Sequence, residues 1–229
     1  MKLYPLEPLG RLATNIARIS KKIQMNVLSL SKGADTPDLD TLVVIGNGTP
    51  DDIAFSIISF HLNGDKIAGI VKPKMAKRDG CVNLIQKYME GKVRKILILM
   101  DQEGDTLSTI YKEIQKRLKK LATGGITVID EESEKVRVYE GKYGSKKFEL
   151  ILVINGLDEI HTDKHSIEDH LLKAAEKLSM EIGDFENSKA AWESLPHDLQ
   201  LKIFEDLRTH RKLMESVFPQ QVLGCKYIE

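Results

Sequence analysis

The chain has 229 residues, 41% apolar and 30% charged, with 34 Lys and Arg balanced by 34 Asp and Glu. That apolar share, with only 16 Gly and 7 Pro, excludes a disordered or collagen-like chain, and the charge balance excludes a global basic field, so any nucleic-acid contact must come from a local patch. Cys81 and Cys225 lie far apart, outside any CxxC or Cys/His cluster, and no stretch approaches the ~18 uninterrupted apolar residues of a membrane span or the h-region of a signal peptide; the expectation is a cytoplasmic protein with reduced, inert cysteines and no membrane partner.

Leu9, Leu12, Ile16, Ile19, Ile23 and Val27 recur every three or four positions, with Arg11, Arg18, Lys21 and Lys22 between them, which predicts one amphipathic helix over 9–30. A polar linker with Gly and Pro punctuation follows over 31–40. From Thr41 short apolar runs alternate with helical stretches. Residues 42–46 read as a strand, Asp51 to Leu62 as a helix, 66–71 as a strand, 80–91 as a helix, 95–100 as a strand and Thr106 to Leu121 as a helix. Residues 125–130, 135–141 and 148–154 read as strands, the piece 126–147 having the alternating charge and Gly turns of an antiparallel edge insertion. Beyond Ile167 the chain reads as helical: one helix over 165–178, then one or two over 188–218, broken near Ser194 to Pro196. The implied fold is α/β, a mostly parallel central sheet flanked by helices, with a small antiparallel insertion and extra N- and C-terminal helices. The expected division is 1–40, a helix and linker; 41–180, the α/β domain; and 181–229, a helical extension.

Ligands of open α/β sheets gather at the carboxyl ends of the strands. The first apolar strand leads into Gly46-Asn47-Gly48-Thr49-Pro50-Asp51-Asp52. Thr49 fits an N-cap, Pro50 the first helical position and Asp52 an acidic capping box, while Gly46 and Gly48 permit a tight turn and close approach of a ligand. The loop is neither a GxGxxG fingerprint nor a P-loop, and two first-turn aspartates favour a cation over a bare anion.

The strand over 95–100 runs into Asp101-Gln102-Glu103-Gly104-Asp105. Three carboxylates so close together call for a shared positive charge, and Mg2+ or Mn2+ on oxygen ligands is the natural candidate. The competing reading has Asp105 capping the next helix while Asp101 and Glu103 face solvent. After the strand over 148–154 come Asn155-Gly156 and then Ser166-Ile167-Glu168-Asp169. Ser166 and Asp169 form a capping pair in this reading, and Glu168 and Asp169 can face the crevice as supporting ligands. His161, His165 and His170 lack the spacing of a zinc site.

Together these three segments resemble a Toprim-type domain, the metal-dependent module of topoisomerases, bacterial primases and OLD-family nucleases. That family pairs a strand ending in Glu-Gly-x-x-Asp with a later strand ending in Asp-x-Asp. Asn47-Gly48-Thr49-Pro50-Asp51 occupies the first motif and Asp101-Gln102-Glu103-Gly104-Asp105 the second, with Glu103 in place of the middle Asp, and Ser166 to Leu172 resembles a helix start of small stand-alone Toprim-like proteins, many of them archaeal. The resemblance spans about residues 40–180. The family's Glu, which it implies as general acid or base, is Asn47 here, and an amide does not transfer a proton in that way.

The resemblance implies a Mg2+-dependent, nuclease-like protein acting on a phosphodiester. Asp101, Glu103 and Asp105 would hold the metal, Asp51 would serve as ligand or base, and Asn47 would position water or phosphate, with Gly46 and Gly48 close to the bound group. The alternatives are a non-catalytic adaptor for nucleic acid or protein, and a module binding a nucleotide or effector at the same crevice. DNA or RNA would be met by local basic patches: Lys112, Lys116, Arg117, Lys119 and Lys120 on one helix, and Lys72, Lys74, Lys77 and Arg78 in a loop.

Overall fold

The fold, seen in a computed structural model, is described for residues 1–29, 38–73, 78–183 and 185–229. Seven strands form one sheet: β1 (Lys2–Pro5), β2 (Thr41–Val44), β3 (Ile67–Val71), β4 (Lys95–Asp101), β5 (Ile126–Ser133), β6 (Val136–Tyr143) and β7 (Lys146–Asn155). The spatial order is β1-β3-β2-β4-β7-β6-β5. The first five are parallel, and β6 and β5 are added antiparallel beyond β7. The chain is therefore α/β, with the antiparallel portion where the Gly turns and alternating charges predict it.

Helices cover both faces. On one side lie α3 (Arg78–Met89) and α4 (Leu107–Leu121); on the other, α1 (Arg11–Lys22), α2 (Thr49–His61), α5 (Ile167–Lys177), α6 (Ser188–Ser194), α7 (His197–Thr209), α8 (Arg211–Val217) and α9 (Pro219–Lys226). The alternation of side chains along each strand divides the core accordingly. Leu42, Val44, Ile96, Ile98, Leu150 and Leu152 pack under α3 and α4, whereas Val43, Ile45, Leu97, Leu99, Ile151 and Val153 pack under the larger helical layer. Because β2, β4 and β7 are buried on both faces, they read as unbroken apolar runs.

After β2 the chain crosses through α2 to β3 on one side, then returns through α3 to β4 on the other. The β2/β4 boundary is thus the point of reversal, where an open α/β sheet leaves a crevice at its carboxyl edge.

Several elements differ from the sequence expectation. The predicted helix over 9–30 is only α1. Leu9 is 99% exposed, and Ile23, Met25 and Val27 stay buried after the helix has ended. Gln24 adopts a left-handed φ of 53° that breaks the helix, and Val27 to Ser29 then hydrogen-bonds to Leu3. Periodic burial continued past the end of helical backbone. The strand β1 has no counterpart in the sequence reading, because its four residues alternate between buried and half-buried instead of forming the unbroken apolar run of β2. The segment 188–218 forms three helices rather than one or two, with α9 beyond them. The predicted linker over 31–40 lies largely outside the described residues.

The two ends of the chain belong to the same layers as the middle. β1 extends the sheet beside β3, and α9 lies against β4 and β7. At Gly224 of α9 a Cβ would fall inside van der Waals contact of Val153 and 3.1 Å from Leu97 Cδ1, so glycine lets this helix approach the sheet. Among the described residues no helix is long and apolar enough to cross a membrane.

Candidate functional site

A cavity of about 780 Å3 opens at the β2/β4 reversal point, bounded by the β2–α2 and β4–α4 loops and the starts of α5 and α6. Asp51, in the first turn of α2, faces it while only 5% exposed. Its carboxylate occupies the space beside the glycines: a Cβ on Gly46 would overlap Oδ1, and one on Gly48 would lie 2.5 Å from Oδ2. No described residue donates a hydrogen bond to it. Burial, then the charges of Asp101 and Glu168, push its pKa well above the usual carboxylate range. Gly46→Ala is therefore expected to displace the Asp51 carboxylate with little loss of fold; a crystal structure of the variant, with its urea unfolding curve, checks this.

Asp101 closes β4 opposite Asn155 of β7. Its Oδ1 accepts from Asn155 Nδ2 at 3.0 Å and from the Ile167 amide at 3.1 Å. Burial raises its pKa to about 7; the Asn155 bond opposes this, and the Glu168 and Glu103 charges add to it. Glu168, in the first turn of α5, is 6% exposed, faces the same cavity and receives no hydrogen bond from a described residue. Three carboxylates from three strand ends thus meet at one cavity.

Glu103 and Asp105 border the cavity from its exposed rim. Glu103 adopts a left-handed φ of 56° and exchanges two backbone hydrogen bonds with His165, at 2.8 and 3.0 Å, which ties the β4–α4 loop to the loop before α5. The competing assignment of Asp105 as a helix cap does not hold: Thr106 is the cap, accepting from the Thr109 amide at 3.2 Å. Asn47 is exposed beside the cavity with Gly46 and Gly48.

In the other two predicted caps the acids take stronger partners, although Ser166 does occupy the N-cap of α5, without a side-chain cap bond. Gly48, not Thr49, occupies the N-cap of α2, and Asp52 instead binds Lys72 Nζ at 2.5 Å and Asn15 Nδ2 at 2.9 Å. Lys72 also donates to the carbonyls of Asn47 and Gly48, at 3.2 and 2.7 Å, so it clamps the β2–α2 loop. A charge-assisted bond to an ammonium outcompetes a cap bond to a backbone amide. Asp169 does not pair with the Ser166 side chain and does not border the cavity; it accepts from the Leu157 amide at 3.0 Å and meets His165 Nδ1 at 2.7 Å.

Behind the cavity runs a buried polar chain that the sequence reading missed. Asn155 Oδ1 accepts from Gln221 Nε2 at 2.8 Å, and Gln221 Nε2 lies 3.1 Å from His170 Nε2. The same His170 nitrogen accepts from the Gly156 amide at 3.1 Å, while Nδ1 faces the Val217 carbonyl at 2.5 Å. These partners require the Nδ1–H tautomer, and burial lowers the His170 pKa to about 4, which keeps the ring neutral. Only Asn155, at a strand end, carried a local signal; Gln221 and His170 read as ordinary helix residues.

Lys112, Lys116, Lys119 and Lys120 are exposed on α4, and Arg117 borders the cavity. In the loop patch Lys72 is committed to Asp52, Lys74 and Lys77 lie outside the described residues, and Arg78 opens α3. The exposed Lys164 and Lys189 add positive charge at the cavity rim. The floor is thus acidic and the rim partly basic, an arrangement able to hold a cation below a phosphate. Among the described residues no three His, Cys, Asp or Glu side chains are gathered tightly enough to hold one metal ion directly. The arrangement fits a hydrated ion touching one or two carboxylates, as Mg2+ usually is. Comparison with protein-family models, with curated proteins and with solved structures gives no match.

Proposed function

We propose that the chain is a divalent-cation-dependent, nuclease-like protein that acts on the phosphodiester of a nucleic acid. The observation that carries this reading is the meeting of Asp51, Asp101 and Glu168 at one cavity, two of them buried without a hydrogen-bond donor. Buried carboxylates in such company are costly unless a cation is shared, and the Toprim resemblance supports the same assignment. One or two of Asp51, Asp101 and Glu168 would hold Mg2+ or Mn2+ directly, and the remaining acids, with Glu103 and Asp105 on the rim, would meet the ion's water shell.

Asn155 and the Ile167 amide orient Asp101, and the Lys72 clamp fixes the loop that carries Asp51 and Asn47. Lys164 and Lys189 attract the phosphate backbone, and the Asn47 amide orients water or a phosphate oxygen by hydrogen bonding. A bound divalent ion supplies neutralisation of the charge that develops on phosphate. The second reading, a binding module without catalysis, is favoured by one observation: the position that the family fills with Glu holds Asn47.

Calorimetric titration of Mg2+ and Mn2+ into the protein, alone and with an oligonucleotide present, is expected to show saturable heat in at least the second condition. Cleavage of DNA or RNA in the loaded state then supports the nuclease, and oligonucleotide binding without cleavage supports the binding module. Silence in both titrations would refute the metal site.

A further inference from the structure

The helices after α5 lie outside the Toprim resemblance, yet one side chain among them reaches the floor of the site. Gln221 of α9 is fully buried. Its amide nitrogen is spent on Asn155 Oδ1 and His170 Nε2, and its Oε1 accepts nothing from the described residues. Beside it lies a small cavity of about 10 Å3, bordered by Gln221, Asp51, Asn155 and apolar side chains including Phe55 and Ile167. That volume matches one water, which also needs two or more polar partners. Gln221 Oε1 and the Asp51 carboxylate, both without a donor, are two acceptors for its two hydrogens.

We propose that Gln221 is a positioning residue for both aspartates of the site: it holds Asp101 through Asn155, and Asp51 through one internal water in this cavity. The helical layer carrying α9 then sets the geometry of the acidic floor from behind. Gln221, by donating to Asn155 Oδ1, reinforces the orientation that presents Nδ2 to Asp101; an amide with one end fixed by a donor has its other end fixed as a donor. Losing such outer support of a ligand typically costs ten- to a hundredfold in metal affinity. The effect on affinity rests on the metal reading above, whereas the water and the Asn155 orientation do not.

The test has two parts. A high-resolution crystal structure of the metal-free protein is expected to show one water within hydrogen-bond distance of Gln221 Oε1 and Asp51. Absence of that density, or a cation with short oxygen contacts in its place, would overturn the water bridge. In parallel, Mn2+ is titrated into the parent, Gln221→Leu, Gln221→Met and Val222→Ala. The last variant loosens the same helix without touching the polar chain. The Gln221 variants are expected to bind Mn2+ roughly ten- to a hundredfold more weakly while unfolding cooperatively, and Val222→Ala to bind like the parent. Equal weakening in Val222→Ala, or parent-like affinity in a folded Gln221 variant, would overturn the positioning role. If the parent itself binds no Mn2+, the metal reading fails, and the water density together with the Asn155 rotamer in crystals of Gln221→Met still decides this proposal.

Discussion

Asp101→Asn is expected to make the metal-free protein more stable at pH 8 while weakening Mn2+ binding by at least about a hundredfold, more than the loss of an outer-shell partner alone. Burial and the neighbouring acids hold the folded-state pKa of Asp101 at about 7, above the ~3.9 of an unfolded chain. Between those values the folded state binds more protons than the unfolded one, so the contribution of Asp101 to stability falls as pH rises through that window. Asn keeps an oxygen for the Asn155 and Ile167 donors and removes the charge. The melting temperature of the parent should therefore drop more steeply than that of the variant from pH 5 to 8. A variant less stable than the parent at pH 8 would mean that Asp101 is stabilised by its surroundings, against the like-charge picture drawn above. Stability gained where function is lost is the expected behaviour of a site built from repelling groups.

Lys72→Met acts in the opposite sense. It strands Asp52, which is fully buried and whose other side-chain partner among the described residues is Asn15. Breaking a buried pair from one side costs about 3–5 kcal/mol, or roughly 6–20 °C in melting temperature for a chain of this size. The Lys72 bonds to the Asn47 and Gly48 carbonyls go as well, so Mn2+ affinity should fall with stability. Adding Asp52→Asn to Lys72→Met removes the stranded charge while leaving an acceptor for Asn15, and urea unfolding should show much of the loss recovered. Recovery of stability without recovery of Mn2+ affinity would separate the two duties of Lys72: neutralising Asp52 and clamping the loop.

The carboxylates of the candidate site were legible because chemistry at a strand end is written locally. Asp51 and Asp101 each follow an apolar run, and Glu168 opens the helix after a third. Which carboxylates are enclosed was not legible. Asp101, Glu103 and Asp105 are near neighbours in sequence, but the turn at Glu103 leaves the last two on the rim, while Asp51 and Glu168 arrive from other strands. At Thr49 the cap was misread because the motif takes no account of an ammonium brought from another strand, and Lys72 took Asp52; Ser166 does occupy the N-cap of α5, but Asp169 turned to the neighbouring His165 imidazole and the Leu157 amide instead. Gln221 was invisible for the same reason: its partners Asn155 and His170 lie 66 and 51 residues away.

The seat of α9 on β4 and β7 bears on the order in which the molecule assembles. A chain emerging from the ribosome can complete the layer of α3 and α4 once β7 is made, but the part of the opposite face of β4 and β7 that α9 covers stays bare until Pro219–Lys226 has followed. β1 likewise waits for β3, since Lys2 pairs with Ile67. Such long-range closure slows folding, and sheet surface left open meanwhile is what intermediates aggregate through. Synthesis, rather than the finished fold, is therefore the stage at which this sheet is most open to aggregation.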